Sequence, residues 1–174
     1  FDIVLPKVLP DNIASNIPPY FFYDVQSHIF SDITTKDRLS LSYYTGIDDI
    51  FFDTLGLDGR WGNNTISGHW RRVFSERLIG NFLIANSNFR TMFGLGGDGG
   101  LVNDNIIDDQ TISGDFSWFK SSDATLKFGL QHKVLGFEYF SKFQDSVAFK
   151  IKNDPVEVGA YLKMKYSLNE VLIL

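Results

Sequence analysis

The chain has 174 residues with a formal charge of -5, 44% hydrophobic and 16% aromatic residues, 17 of them Phe, and no Cys. That composition excludes a disordered or collagen-like chain, and the missing basic runs argue against nucleic acid as partner, since phosphate binding needs clustered Lys and Arg. Without Cys there is no disulfide framework and no thiolate chemistry, and no apolar run approaches the roughly 20 residues of a transmembrane helix.

In chain order, residues 1–19 carry four of the five prolines without a sustained period and read as an extended lead-in loop. No signal peptide is recognised there, so the chain reads as mature or as a fragment. Residues 20–174 read as a meander of long strands in a single unit. Strand period 2 begins at Tyr20 to Phe30 and resumes at Arg38 to Ile47, where Leu39, Leu41 and Tyr43 alternate with Ser40, Ser42 and Tyr44. An acidic loop is predicted over Asp48 to Arg60. From Trp61 to Met92 the pattern is a long hairpin. One parity of its first strand is Thr65, Ser67, His69 and Arg71, and the other is Ile66, Gly68 and Trp70 until Arg72 interrupts it. The return strand carries Leu78, Gly80, Phe82 and Ile84 against Asn81, Ala85 and Ser87.

A Gly- and Asp-rich loop is predicted over 94–110, followed by a strand at Thr111 to Phe119. That strand echoes the first hairpin strand, TISGDF against TISGHW, which marks two strands in equivalent surroundings. The next strand, Thr125 to Phe140, puts His132 on its apolar parity, which implies either a bulge or the end of an apolar band. A third long loop is predicted over 141–155, then a strand at Val156 to Tyr166 and the start of another at Glu170.

Two architectures fit this alternation. One is an antiparallel sandwich or soluble barrel with the apolar parity inside, and the other is an outer-membrane barrel with that parity in lipid. Short turns near 34, 75, 122 and 168 alternate with the three long connections, and Gly and Asn occur inside strands; both features favour the membrane barrel.

Motifs for other chemistry are weaker. Gly94 to Gly99 fits G-x-G-x-x-G, but no helical period follows to supply a phosphate-binding helix N-terminus. Asp98, Asn103, Asp104, Asn105, Asp108 and Asp109 carry oxygen ligands for Ca2+ without EF-hand spacing, so a solvated loop is the preferred reading. Ser67, His69 and Asp115 contain the residue types of a catalytic triad, yet Ser and Asp are common enough here that the coincidence is expected, and no enzyme is read. His28 and His69 read as pore-lining residues, and no metal or cofactor is predicted. Arg72, near a short turn on the apolar parity, is placed to snorkel towards lipid headgroups, although a soluble surface explains it equally well.

Six segments, PPYFFYDVQSHI, KDRLSLSYYTGIDDIF, WGNNTISGHWRRVFSERLIGNFLIANSNF, IIDDQTISGDFSWF, LKFGLQHKVLGFEYF and SLNEVLIL, occur in an order that resembles the barrel of a TonB-dependent outer-membrane receptor. The resemblance is to the Bacteroidetes type with a carboxypeptidase-regulatory-like domain. It implies an up-and-down transmembrane barrel of about 22 strands, of which the chain holds seven to eight. It implies outer-membrane lipid and an unknown small nutrient as partners in a Gram-negative cell, with the TonB–ExbB–ExbD complex acting through a plug domain that has no counterpart here. Given that barrel, parity selects Ser67, His69, Arg71, Asn81, Asp115, Gln131, Lys133 and Lys163 as lumen-facing wall residues. The remaining alternatives are a small stand-alone outer-membrane barrel, with or without enzyme activity, and a soluble β-sandwich binding module.

Overall fold

The computed structural model describes residues 19–52, 56–144, 146–168 and 172–173, and the predicted lead-in loop lies outside them. The described chain is all-β: β1 Tyr20–Asp32, β2 Asp37–Phe52, β3 Leu57–Ser75, β4 Leu78–Leu95, β5 Leu101–Phe119, β6 Ala124–Phe143, β7 Ser146–Asn153, β8 Val156–Leu168 and β9 Leu172–Ile173. Each pairs antiparallel with the next in a single sheet, except that β7 and β8 both pair with β6.

The strands are longer than the predicted ones. β2 and β3 run through most of the expected acidic loop and meet near Gly56, while β5 begins at Leu101, inside the expected Gly–Asp loop. Only the glycine turn remains of that loop, with Gly96, Gly97 and Gly99 at φ of 92°, 65° and 79°, a backbone region other residues avoid. The expected third loop is a hairpin tip near Gln144 followed by β7. There, β7 and β8 run along β6 in the same direction, interrupted only at Asp154 and Pro155, where proline has no N–H to give to the ladder. Nine assigned strands therefore follow an eight-strand path. Polar sequence in these stretches belongs to paired strands with polar side chains on both faces, not to irregular chain.

The short connections near 34, 75 and 122 are as tight as predicted, and the turn predicted over 167–169 lies partly outside the described residues. Between β1 and β2, Thr34 Oγ1 accepts hydrogen bonds from the N–H groups of Lys36 and Asp37 at 3.1 and 3.0 Å and donates to Asp37 Oδ2 at 2.7 Å. Such a side-chain turn fixes the reversal without glycine.

No large side chain among the described residues is fully buried. The sheet is a single layer, so the second sheet that a sandwich needs is missing from the described residues. The described fold therefore corrects the β-sandwich alternative. What takes the place of a core is an uncovered apolar face.

Candidate functional site

Because facing residues in an antiparallel ladder lie on the same side, the register sorts the sheet into two faces. One side carries the rows Ile29–Leu41–Gly68–Ile84–Ile112–His132–Val158 and Leu39–Trp70–Phe82–Gly114–Leu130–Ala160, followed towards the short turns by Phe116–Phe128–Leu162 and Trp118–Leu126–Met164. Its residues are bare: Ile112 is 58% exposed, Leu130 67%, Leu162 73% and Val158 75%. The registers run unbroken past His132, so no bulge turns it away. It stays on the apolar face, one row below Val134, near where Asn86 and Gln110 end the band.

From Leu126 to Val134 the strand advances roughly 27 Å at about 3.4 Å per residue. A tilt of about 40° leaves about 20 Å of height, close to the roughly 25 Å apolar belt of outer-membrane barrels. The 19 residues of β5 cover more than twice that length, so the strands overshoot the band on the side away from the short turns. In the overshoot the same face becomes polar, with the ion pairs Arg60–Asp49 and Arg90–Asp104 and, on β6 and β7, Glu138–Lys150 at 2.8 Å.

Aromatic rings join the strands low in the band. Trp70 stacks on Phe82 at 4.9 Å between centroids, Phe82 meets Phe116 edge-on at 5.5 Å, and Phe116 stacks on Phe128 at 5.2 Å. The echoed glycines make this packing fit. Gly114 faces Phe82 and Gly68 faces Ile84, where added Cβ atoms would lie 3.3 and 3.4 Å from those side chains. The TISG strands thus do similar work on either side of β4, offset by two residues. At the margin of the band, Arg72 lies over Trp70 and Phe74, and Asp37 accepts from Arg72 at 3.2 Å and from Trp70 Nε1 at 3.0 Å. This charged pair lies on the band face. Arg72 stands at the predicted margin, held by a carboxylate partner that periodicity did not show.

The opposite face is polar at the same level, and all eight sequence-selected residues lie on it in four consecutive rows. Ser67 and Lys133 share the row His28–Ser42–Ser67–Ala85–Thr111–Lys133–Glu157, with His69 and Gln131 in the next. Arg71, Asn81 and Asp115 occupy the row after that, which starts at Asp32 and Arg38 and ends at Gly129 and Tyr161. Lys163 sits opposite Lys127 in the last. Side chains tie the strands together on this face. Lys133 pairs with Asp109 at 2.8 Å, Arg38 donates to Asp32 at 2.7 and 2.9 Å, His28 Nδ1 and Ser42 Oγ are 2.8 Å apart, and Tyr161 donates to Asp115 at 2.6 Å.

Sequence reasoning missed Asp109, Tyr161, Lys127 and Lys165. The two lysines share the parity of Lys133 and Lys163 and were within its reach, but the Asp109 and Tyr161 bonds depend on register.

Among the described residues no hydrogen bond joins Ser67, His69 and Asp115, and no cluster of His, Asp and Glu is placed to hold a metal. Of the Ca2+ candidates, Asp98 lies in the glycine turn and the other five fall on alternating faces of β5, where Asp104, Asp108 and Asp109 are engaged by Arg90, Asn88 and Lys133. They do not converge.

No protein-family model and no curated protein matches the sequence. Among solved structures, the chain is similar to the ferric yersiniabactin uptake receptor FyuA from Yersinia pestis, with a TM-score of 0.56 and 12% identity over 88% of this chain. The fold is that of an antiparallel β-barrel segment. The chain spans 27% of that receptor's length. At this identity the likeness concerns the fold, an antiparallel up-and-down transmembrane barrel segment, and the protein that shares it takes part in uptake.

Proposed function

We propose that the chain is a wall segment of a TonB-dependent outer-membrane receptor that takes up a scarce nutrient. The observation that carries this reading is the bare apolar band on one face, backed at the same level by a polar face. A lipid boundary on one side and an aqueous interior on the other call for that division. The receptor fold supports the reading, and the sequence segments add the resemblance to the Bacteroidetes type. On this reading residues 20–168 form wall and the eight parity-selected side chains face the lumen. The wall itself is passive. Substrate binds outer loops and a plug supplied elsewhere in the protein, and the TonB–ExbB–ExbD complex draws on the plug using the proton gradient.

Single cysteines test the orientation, helped by a chain that has none. In the full-length protein in native outer membranes, Ile112→Cys and Leu130→Cys should react only with a lipid-soluble maleimide, and Ser113→Cys and Gln131→Cys with a water-soluble one. The reverse pattern overturns the reading. For transport, deleting the gene should abolish uptake of one compound in a panel of metal chelates, glycans and peptides, and deleting TonB should have the same effect. Uptake that persists without TonB would refute the energised mechanism.

A further inference from the structure

The short-turn end of the polar face carries charge that the sheet does not neutralise. From the row of Arg71 downward the described strands present Arg38, Arg71, Lys127, Lys163 and Lys165 against the carboxylates Asp32 and Asp115, whereas above that row they present Asp24, Asp48, Asp109 and Glu157 against Lys133. Arg38 is already held by Asp32. The three lysines differ. Among the described residues none of them makes an ion pair, and they lie together in one cleft of about 260 Å3 with Thr125 and Phe119.

The ladder sets the shape of this cleft. Lys127 on β6 faces Lys163 on β8, and two residues nearer the turn Thr125 faces Lys165, so the four side chains stand at the corners of one block on one face. Facing residues have Cβ atoms about 5 Å apart, and residues two apart along a strand lie about 7 Å apart. The flexible four-carbon stem of lysine spans such distances, so three ammonium groups and one hydroxyl can meet at a single point. On β5, Ser117 faces Lys127 and Phe119 faces Thr125, so a ring closes one side of the block. Asp115, one row higher, is engaged by Tyr161, which donates to it at 2.6 Å across Gly129. Among the described residues the Thr125 hydroxyl has no hydrogen-bond partner. Like charges directly opposite one another destabilise a sheet, which makes Lys127 against Lys163 unfavourable unless an anion joins them.

We infer that this cleft binds the phosphate group of a small soluble anion, either inorganic phosphate or a phosphate monoester. A phosphate group brings about 1.5 to 2 negative charges at neutral pH and three strong acceptor oxygens, which match three ammonium groups and a hydroxyl. A carboxylate brings a single charge and two oxygens, too few for four corners. The cleft opens on the polar face with the apolar band on the opposite one, so the phosphate is a dissolved one and not that of a membrane lipid. That last step rests on the polar face lining an aqueous interior, which the cysteine experiment tests separately. The block of four side chains does not depend on it.

Amine acylation read residue by residue with mass spectrometry decides it. In the full-length protein purified in detergent, inorganic phosphate should slow acylation of Lys127, Lys163 and Lys165 together, several-fold, while Lys36 in the turn between β1 and β2 reacts as before. Chloride at the same ionic strength should give no such protection. Thr125→Val should require several-fold more phosphate for equal protection, with lysine reactivity unchanged when phosphate is absent. Lysines that phosphate leaves unprotected overturn the inference, as do lysines already unreactive without it because another strand supplies their carboxylates. Protection that chloride matches reflects screening alone and also overturns it. So does a Thr125→Val response equal to the parent's, or protection by phosphatidic acid micelles with none by phosphate, which would make the ligand a lipid headgroup.

Discussion

Gly80 lies beneath three rings. A Cβ there would stand 2.7 Å from Phe74 Cε2, 3.1 Å from Phe82 and 3.3 Å from Phe116. These rings are held by one another and cannot withdraw as the end of a flexible chain would, so Gly80→Ala should destabilise the sheet by about 1–3 kcal/mol, the usual cost of overpacking. Gly68→Ala meets Ile84 at 3.4 Å, an ordinary contact, and should stay within about 0.5 kcal/mol of the parent. Denaturant unfolding of the full-length protein in detergent compares the two, and equal effects would remove the argument. Periodicity identified Gly80 as a small residue on the apolar parity. It did not show the rings above it, because Phe74 and Phe116 reach that point from other strands.

At the scale of the strand, the overshoot of β6 and β7 beyond the band is fastened by side chains in water. The Lys150 ammonium donates to Glu138 and attracts its charge, with Lys152 adding to the attraction, and together they hold the carboxyl below its ordinary value of 4.5. A carboxyl with a depressed folded value stabilises the fold fully above the ordinary value and loses that contribution as pH falls through the folded one. Below about pH 4.5, amide exchange in β7 should therefore accelerate ahead of exchange in β5, and Lys150→Gln should produce the same loosening at neutral pH while flattening the acid dependence. If exchange in β7 ignores both changes, the pair does not hold the strand. The sequence located the strands from their alternating core but ended them where polar residues began. Residues such as Asp48, Asp104 and Asp108 look like loop residues on composition, and only their cross-strand partners show that they continue a ladder.

For the whole molecule, the described sheet is open: β1 pairs only with β2, and β8 has β9 beside it over two residue pairs. Unpaired edges in lipid leave backbone groups unsatisfied at several kcal/mol each, and exposed edges in water template aggregation. Residues 1–174 produced alone should therefore aggregate or form mixed oligomers in detergent, whereas the same residues within the full-length protein should resist trypsin. A monodisperse, folded monomer of the segment in size-exclusion chromatography would favour the stand-alone barrel. The sequence by itself determined the all-β class, the short turns, and the sorting of Ser67, His69, Arg71, Asn81, Asp115, Gln131, Lys133 and Lys163 onto one parity. Strand parity is local, written in successive residues, and survives without knowledge of neighbours. The tertiary structure alone decided the strand ends, the merging of β7 with β8 around Pro155, the rings over Gly80 and the division of charge along the polar face, because each depends on register between strands distant in sequence.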